Sequence, residues 1–131
     1  MANKGYLLDS NGNYNYLEEY TEGWQSLSQY YNNVQDYGAG YRIGRYRKRN
    51  DEIIIEATLK FTSTNNLIMT LPAGMRPLQH MNFVVAMNGN GGSTARLAKI
   101  EVRSDGKVQL QDTAPKANDW ISLTGVRFFT D

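Results

Sequence analysis

The sequence predicts a single all-β domain, an antiparallel β-sandwich or barrel, and three observations carry that expectation. Apolar and polar side chains alternate at period two through most of the chain after Tyr41, turn residues punctuate the alternation at short intervals, and no stretch carries a helical stripe. A chain of 131 residues has room for one hydrophobic core. Cysteine is absent, so packing and hydrogen bonding must hold the fold without disulfides or thiolate metal sites.

The region up to Gly40 shows neither clean alternation nor helical spacing, and its Asn, Gly, Ser and Asp punctuation suggests short strands, with the clearest turn at Asp9-Ser10-Asn11-Gly12-Asn13. Glu52 to Thr62 reads as one strand. Ile53, Ile55, Ala57, Leu59 and Phe61 point inward, and Glu52, Glu56, Thr58, Lys60 and Thr62 point to water. Leu67, Met69 and Leu71 alternate next, and the run stops at Leu71-Pro72-Ala73-Gly74-Met75-Arg76-Pro77, where two prolines and a glycine interrupt any ladder. Met81, Phe83, Val85 and Met87 share the inward face of the following strand, which ends in the polar, glycine-rich loop Asn88 to Ser93. Ala98 to Leu110 reads as a hairpin about Ser104-Asp105-Gly106-Lys107, because Asp-Gly accepts the positive φ of a tight turn. In Trp120 to Phe129, Ile121 and Leu123 face inward; beyond Gly125 the phase shifts to Val126 and Phe128, as a bulge at the glycine would produce.

Charge divides the chain. Residues 1–40 hold five acids and one base, and residues 41–131 hold eight acids and thirteen bases, within a net charge of +1. That balance argues against a phosphate-backbone binder. All nine tyrosines lie between Tyr6 and Tyr46. They suit either a surface that meets another subunit or local core packing, since tyrosine joins a large apolar area to a hydroxyl. The longest apolar runs, such as Phe83 to Met87, fall far below the roughly 18 residues of a membrane span. Met1 to Gly5 shows no apolar core of signal-peptide length, so synthesis in a cytoplasm is expected.

Catalytic patterns are weak. His80 is the only histidine, so any Ser-His-Asp triad must use it, and a multi-histidine metal centre is excluded. The pairs Glu18-Glu19 and Asp51-Glu52 project to opposite faces of a strand, whereas glycoside hydrolysis needs two carboxylates converging on one bond. The glycine run at 89–92 lacks the lysine and the strand-to-helix context of a phosphate loop. The cluster Arg42, Arg45, Arg47, Lys48 and Arg49, interleaved with Tyr41 and Tyr46, has the composition of a nucleic-acid surface. Strand alternation splits those charges between two faces, however, and Asp51, Glu52 and Glu56 follow to neutralise them. The same arginines could meet anionic wall polymers, whose phosphate oxygens accept bidentate hydrogen bonds.

The order of Trp24-Gln-Ser-Leu27, Tyr46-Arg47-Lys48, Leu71-Pro-Ala-Gly-Met-Arg-Pro77, Ser104-Asp-Gly-Lys-Val108 and Trp120-Ile-Ser-Leu-Thr-Gly-Val-Arg-Phe-Phe129 resembles the C-terminal head domains of bacteriophage tail fibres and baseplate receptor-binding proteins. The resemblance implies a jelly-roll-like head domain over residues 24–131, assembled as a homotrimer at the tip of a phage tail, where avidity multiplies weak contacts with host glycans. It implies a virion protein made in the host cytoplasm, with partners among other phage tail proteins and a host cell-wall glycan or teichoic-acid-like polymer, and with no nucleic acid, membrane insertion or cofactor. Residues 1–23 would form the connector that docks the head to the tail, although they lack the helical coiled-coil stem of that family. Sugar sites on such sandwiches set an aromatic face beside amide, carboxylate or guanidinium groups, which nominates Asn118, Asp119, Trp120, Asn88, Asn90 and Arg47. The alternative for Trp120 is closure of the core at a strand start, and Trp24 is expected to be structural. Two other functions fit the same sequence: a baseplate subunit that binds only proteins, and a free-standing carbohydrate-binding module or lectin.

Overall fold

The computed structural model describes residues 4–8, 14–18, 23–88 and 94–130, and every element among them is a strand or a turn. β1 (Lys4–Leu8) pairs antiparallel with β2 (Tyr14–Glu18), and the turn expected at residues 9–13 between them lies outside the described residues. β3 (Gln25–Ser26), β4 (Val34–Asp36), β5 (Arg45–Arg49), β6 (Glu52–Glu56) and β7 (Thr58–Phe61) follow, then β8 (Leu67–Thr70) and β9 (Met81–Asn88). The chain continues through β10 (Ala95–Val102), β11 (Lys107–Leu110), β12 (Trp120–Ser122) and β13 (Val126–Phe129).

Two antiparallel sheets build the sandwich: a seven-stranded sheet ordered β4-β7-β12-β9-β10-β11-β8 and a four-stranded sheet ordered β13-β6-β5-β3. Ile53, Ile55, Tyr46, Val126 and Phe128 from the smaller sheet meet Leu59, Phe61, Met87, Ile100, Val108 and Ile121 from the larger in one core. Each such side chain contributes about 1.5–3 kcal/mol by leaving water. The larger sheet nearly closes on itself. Tyr31 N–H donates to Ile68 O on β8 (3.1 Å), and five residues later Asp36 pairs with Leu59 on β7, so one segment reaches both sheet edges. Buried Asn33 locks that segment, donating from Nδ2 to the carbonyls of Asn65 and Leu67, each at 2.9 Å.

The expected inward row Ile53, Ile55, Ala57, Leu59, Phe61 is buried throughout. The expected single strand, however, is two strands in different sheets, with the chain turning at Ala57. The same holds at the other end: β12 and β13 belong to different sheets, and the phase shift between Leu123 and Val126 arises from this corner rather than from a bulge within one ladder. The two corners are one structure. Leu123 N–H donates to Ala57 O (2.8 Å), Gly125 N–H to Ile55 O (3.1 Å) and Ala57 N–H to Thr124 Oγ1 (3.1 Å), so the paired chains fold over together.

The Ala98–Leu110 hairpin forms as expected, with Ile100 opposite Leu110 and Val102 opposite Val108. Asp105 Oδ1 accepts from Lys107 N–H at 3.1 Å and Gly106 takes φ 91°. On β9 the inward row holds for Phe83, Val85 and Met87, but Met81 is exposed, because it lies at the strand end next to the rim. Ile68 is also buried beside Met69, so β8 departs from strict alternation.

Candidate functional site

Between β4 and β5 the chain makes a loop whose conformation the glycines set. Gly38, Ala39 and Gly40 all take positive φ (77°, 52° and 85°), a run that two glycines make accessible. Both ends of the loop are tied: Tyr37 N–H donates to Thr58 O (3.0 Å), Tyr41 N–H to Gly38 O (2.9 Å) and Gly44 N–H to Asp36 Oδ1 (2.8 Å). The reversal brings the rings of Tyr37 and Tyr41 edge to face, with centroids 5.3 Å apart and planes at 87°.

Across from these tyrosines stand the residues that β7 and β12 turn outward, Thr58, Trp120 and Ser122, with Ser122 opposite Thr58 in the ladder. Together the five side chains line a recess of about 220 Å³. Three aromatic rings and four hydroxyls, two phenolic and two aliphatic, around so small a space suit a ring-shaped, hydroxyl-rich ligand, whose C–H face can stack while its hydroxyls hydrogen-bond.

Trp120 is held from behind. Asn88, the last residue of β9, is buried; its Oδ1 accepts Trp120 N–H (2.7 Å) and its Nδ2 donates to Asp119 Oδ1 (2.9 Å). The other oxygen of Asp119, also buried, accepts Lys116 N–H at 2.8 Å. Asn118, exposed and at φ 72°, donates its N–H to Phe61 O at 2.7 Å. Asn88, Asp119 and Trp120 are therefore brought together as the sequence suggested, but Asn88 and Asp119 aim at one another and at the backbone rather than into solvent. Asn90 lies outside the described residues. Arg47 is on the other sheet, its guanidinium carbon 4.7 Å from the centre of the Trp24 ring. Sequence reasoning missed Tyr37 and Tyr41 as individuals, although the tyrosine cluster and the glycines at 38 and 40 were the available signal.

A second recess of about 560 Å³ is lined by Gly40, Arg42 and Ile43 of the same loop together with Trp24, Gln25, Ser26 and Arg45. Arg45 stacks on Trp24 at 3.9 Å, so the expected structural tryptophan is a platform for two arginines.

His80 is exposed, and its Nδ1 accepts Ser104 N–H at 3.1 Å with the Ser104 hydroxyl at 3.4 Å. The backbone donor already occupies the lone pair that a general base would need for the hydroxyl proton. Among the described residues no group of three or more His, Cys, Asp or Glu is placed to hold a metal ion. No helix among them is long and apolar enough to cross a membrane.

No protein-family model matches the sequence, and no curated protein matches it. The fold is similar to that of the receptor binding protein of Listeria phage PSA, known from a crystal structure, with a TM-score of 0.61 and 17% sequence identity over 86% of this chain and 67% of that one. At this identity the likeness is one of fold, an antiparallel β-sandwich shared with a phage protein that binds a receptor.

Proposed function

We propose that this chain is a receptor-binding head of a phage tail or baseplate that recognises a saccharide or wall polymer on the host surface and carries out no catalysis. The observation that carries this reading is the recess of Tyr37, Tyr41, Trp120, Thr58 and Ser122 on the outer face of a sheet whose fold resembles a phage receptor binding protein. Trp120 offers its ring to a sugar, with Asn118 exposed beside it as a hydrogen-bonding partner; Asn88 and Asp119 set its position. Arg47, on the other sheet, extends the contact surface.

In this reading the protein belongs to the virion and is made in the host cytoplasm. Residues 1–23 dock it to other tail proteins, and residues 24–131 form the head. Assembly as a homotrimer fits the two most exposed aliphatic side chains of β9 and β10, Val84 and Leu97, which face outward from the larger sheet. Three heads on one tail would raise the avidity of a shallow site.

The test is adsorption to host cell walls and to arrayed glycans, with Trp120→Ala beside the unchanged protein and mass photometry to read the oligomer. Binding that falls at least about tenfold in a folded Trp120→Ala protein supports the site. A protein that binds neither walls nor glycans is a purely structural subunit. One that binds glycans as a monomer is a free-standing lectin.

A further inference from the structure

The hairpin of β1 and β2 belongs to neither sheet of the sandwich; among the described residues each of its strands pairs only with the other. A two-stranded hairpin is marginally stable by itself and gains by joining a larger sheet. The sandwich leaves one edge of useful length open. The outer strands of the larger sheet, β4 and β8, are linked through residues 30–36, and β3, at one edge of the smaller sheet, is two residues long. β13, at the other edge, has four residues, and β6 is its one partner strand among the described residues.

The register fixes what that edge presents. Thr130 N–H donates to Asp51 O at 2.8 Å, one step past the Phe129–Glu52 pair. Hydrogen-bonded and non-bonded pairs alternate along an antiparallel ladder, so Arg127 and Phe129 turn their N–H and C=O groups away from β6. Their side chains are exposed as well, Phe129 by 59%. Phe129 walls a groove of about 430 Å³ with Pro77, Leu78 and Met81, and Gln79 and His80 complete its lining. Arg127, two positions earlier on the same face, has no side-chain hydrogen bond or ion pair among the described residues. Glu52 lies opposite Phe129, with Arg49 opposite it on the other side. A strand added to β13 would therefore meet an apolar wall at one position and an unpaired cation two positions on.

β2 carries the complementary pattern. Its alternate positions read Tyr14, Tyr16 and Glu18, and residues 1–22 hold four acids against the single base Lys4. We infer that β2 of a second copy adds antiparallel to β13, with Tyr16 opposite Phe129 and Glu18 opposite Arg127. The four-stranded sheet then becomes a six-stranded one shared between copies, ordered β1-β2-β13-β6-β5-β3. Each copy gives β2 and receives on β13, a head-to-tail contact that closes into a ring when the rotation between copies permits. The connector proposed for residues 1–23 thereby gains a seat on a neighbouring head, independently of the glycan reading.

The chain's own β2 is a poor occupant of that edge. It would lie four strand spacings from β3, about 19 Å. Residues 19–24 span about 20 Å only when drawn straight, and Trp24, stacked on Arg45 and Arg47, pins one end of the path. A second copy meets no such limit.

Because the full chain has no cysteine, only introduced thiols can cross-link. Tyr16→Cys protein mixed with Phe129→Cys protein and oxidised should give several-fold more mixed disulfide than Tyr6→Cys mixed with Phe129→Cys, since Tyr6 is on the far strand of the hairpin. By mass photometry, Arg127→Glu should weaken self-association at least about tenfold, and Glu18→Arg in the same chain should restore it. Should Arg127→Glu fail to fold, Glu18→Arg alone carries the test, because β2 lies outside both sheets of the sandwich.

Mixed disulfide no greater than in the Tyr6→Cys control overturns the inference, as does a monomer at every concentration. A disulfide that closes within one chain when both cysteines are placed together means that β2 docks on its own sandwich instead. Assembly lost in Val84→Glu/Leu97→Glu but unchanged in Arg127→Glu assigns the contact to the outer face of the larger sheet and removes β13 from it. Trp120→Ala, on that larger sheet, should leave the mixed disulfide unchanged, so each of these failures leaves the glycan reading to its own test.

Discussion

Asn88 and Asp119, thirty-one residues apart, close a buried side-chain pair in which the amide Nδ2 donates to carboxylate Oδ1 at 2.9 Å. The remaining acceptors serve the backbone, Asn88 Oδ1 for Trp120 N–H and Asp119 Oδ2 for Lys116 N–H. Replacing Asn88 by Ala strands a carboxylate oxygen and a backbone donor together. Asn88→Ala should therefore cost about 1–3 kcal/mol in urea unfolding, and the intrinsic fluorescence should shift as Trp120 loses its support. An unchanged midpoint would show that the pair is dispensable.

Gly106 should be the least replaceable residue of the β10–β11 turn. Its φ is 91°, and a Cβ there would meet Arg76 Nε at 2.5 Å and Leu71 O at 2.6 Å. Those atoms are themselves bonded, Arg76 Nε donating to Leu71 O at 2.8 Å and Leu71 N–H to Gly106 O, also at 2.8 Å. Gly125 has a similar φ of 94° but open space where a Cβ would sit. Gly125→Ala should thus cost only the left-handed backbone strain of about 1–2 kcal/mol, and Gly106→Ala clearly more. Equal losses for the two variants in thermal unfolding would mean that the crowding at Gly106 relaxes freely.

Period two was enough to place the inner face of Glu52 to Phe61 and of Trp120 to Phe128, because side-chain direction survives a change of sheet. For the same reason the corner at Ala57 was not legible: the inward phase runs straight through it, and only the hydrogen bonds to Leu123 and Thr124 reveal the turn. Asn88 and Asp119 read as solvent-facing from their residue types, since a polar group can be buried when a distant partner satisfies it, and that partnership spans the sheet. Trp120 was visible as a candidate. Its companions Tyr37 and Tyr41 were not, because their approach depends on three successive positive φ angles that residue types alone do not fix.

Alkaline stability should depend on Tyr30. Burial of the phenol, then its hydrogen bond to Asp36 Oδ1 at 2.9 Å and the charge of that carboxylate, push its pKa well above the ordinary value near 10. The folded chain therefore holds this proton more tightly than the unfolded chain. The resulting stability is complete below pH ~10 and is lost as the pH rises from there toward the folded-state value, with a slope of at most about 1.4 kcal/mol per pH unit that solvent screening of this half-buried group reduces. Tyr30→Phe should flatten the alkaline limb of stability against pH, relative to the unchanged protein. Parallel limbs for the two proteins would assign the loss to other groups.

Tyr41 separates binding from folding more cleanly than Trp120 does. Its side chain is 57% exposed in the 37–44 loop and packs edge to face on Tyr37, whereas Trp120, whose backbone N–H is held by Asn88, is only partly exposed. Removing the Tyr41 ring takes away one wall of the aromatic recess and leaves the core untouched. Tyr41→Ala should therefore change stability by no more than about 1 kcal/mol, the worth of one aromatic pair, while weakening glycan binding at least about tenfold. Tyr41→Phe distinguishes stacking from hydrogen bonding, because it keeps the ring and deletes only the hydroxyl. Retained affinity in Tyr41→Phe with loss in Tyr41→Ala would assign the contribution to the ring face, as a stacked sugar requires. If Tyr41→Ala binds host walls as well as the unchanged protein, the ligand lies elsewhere on the sandwich.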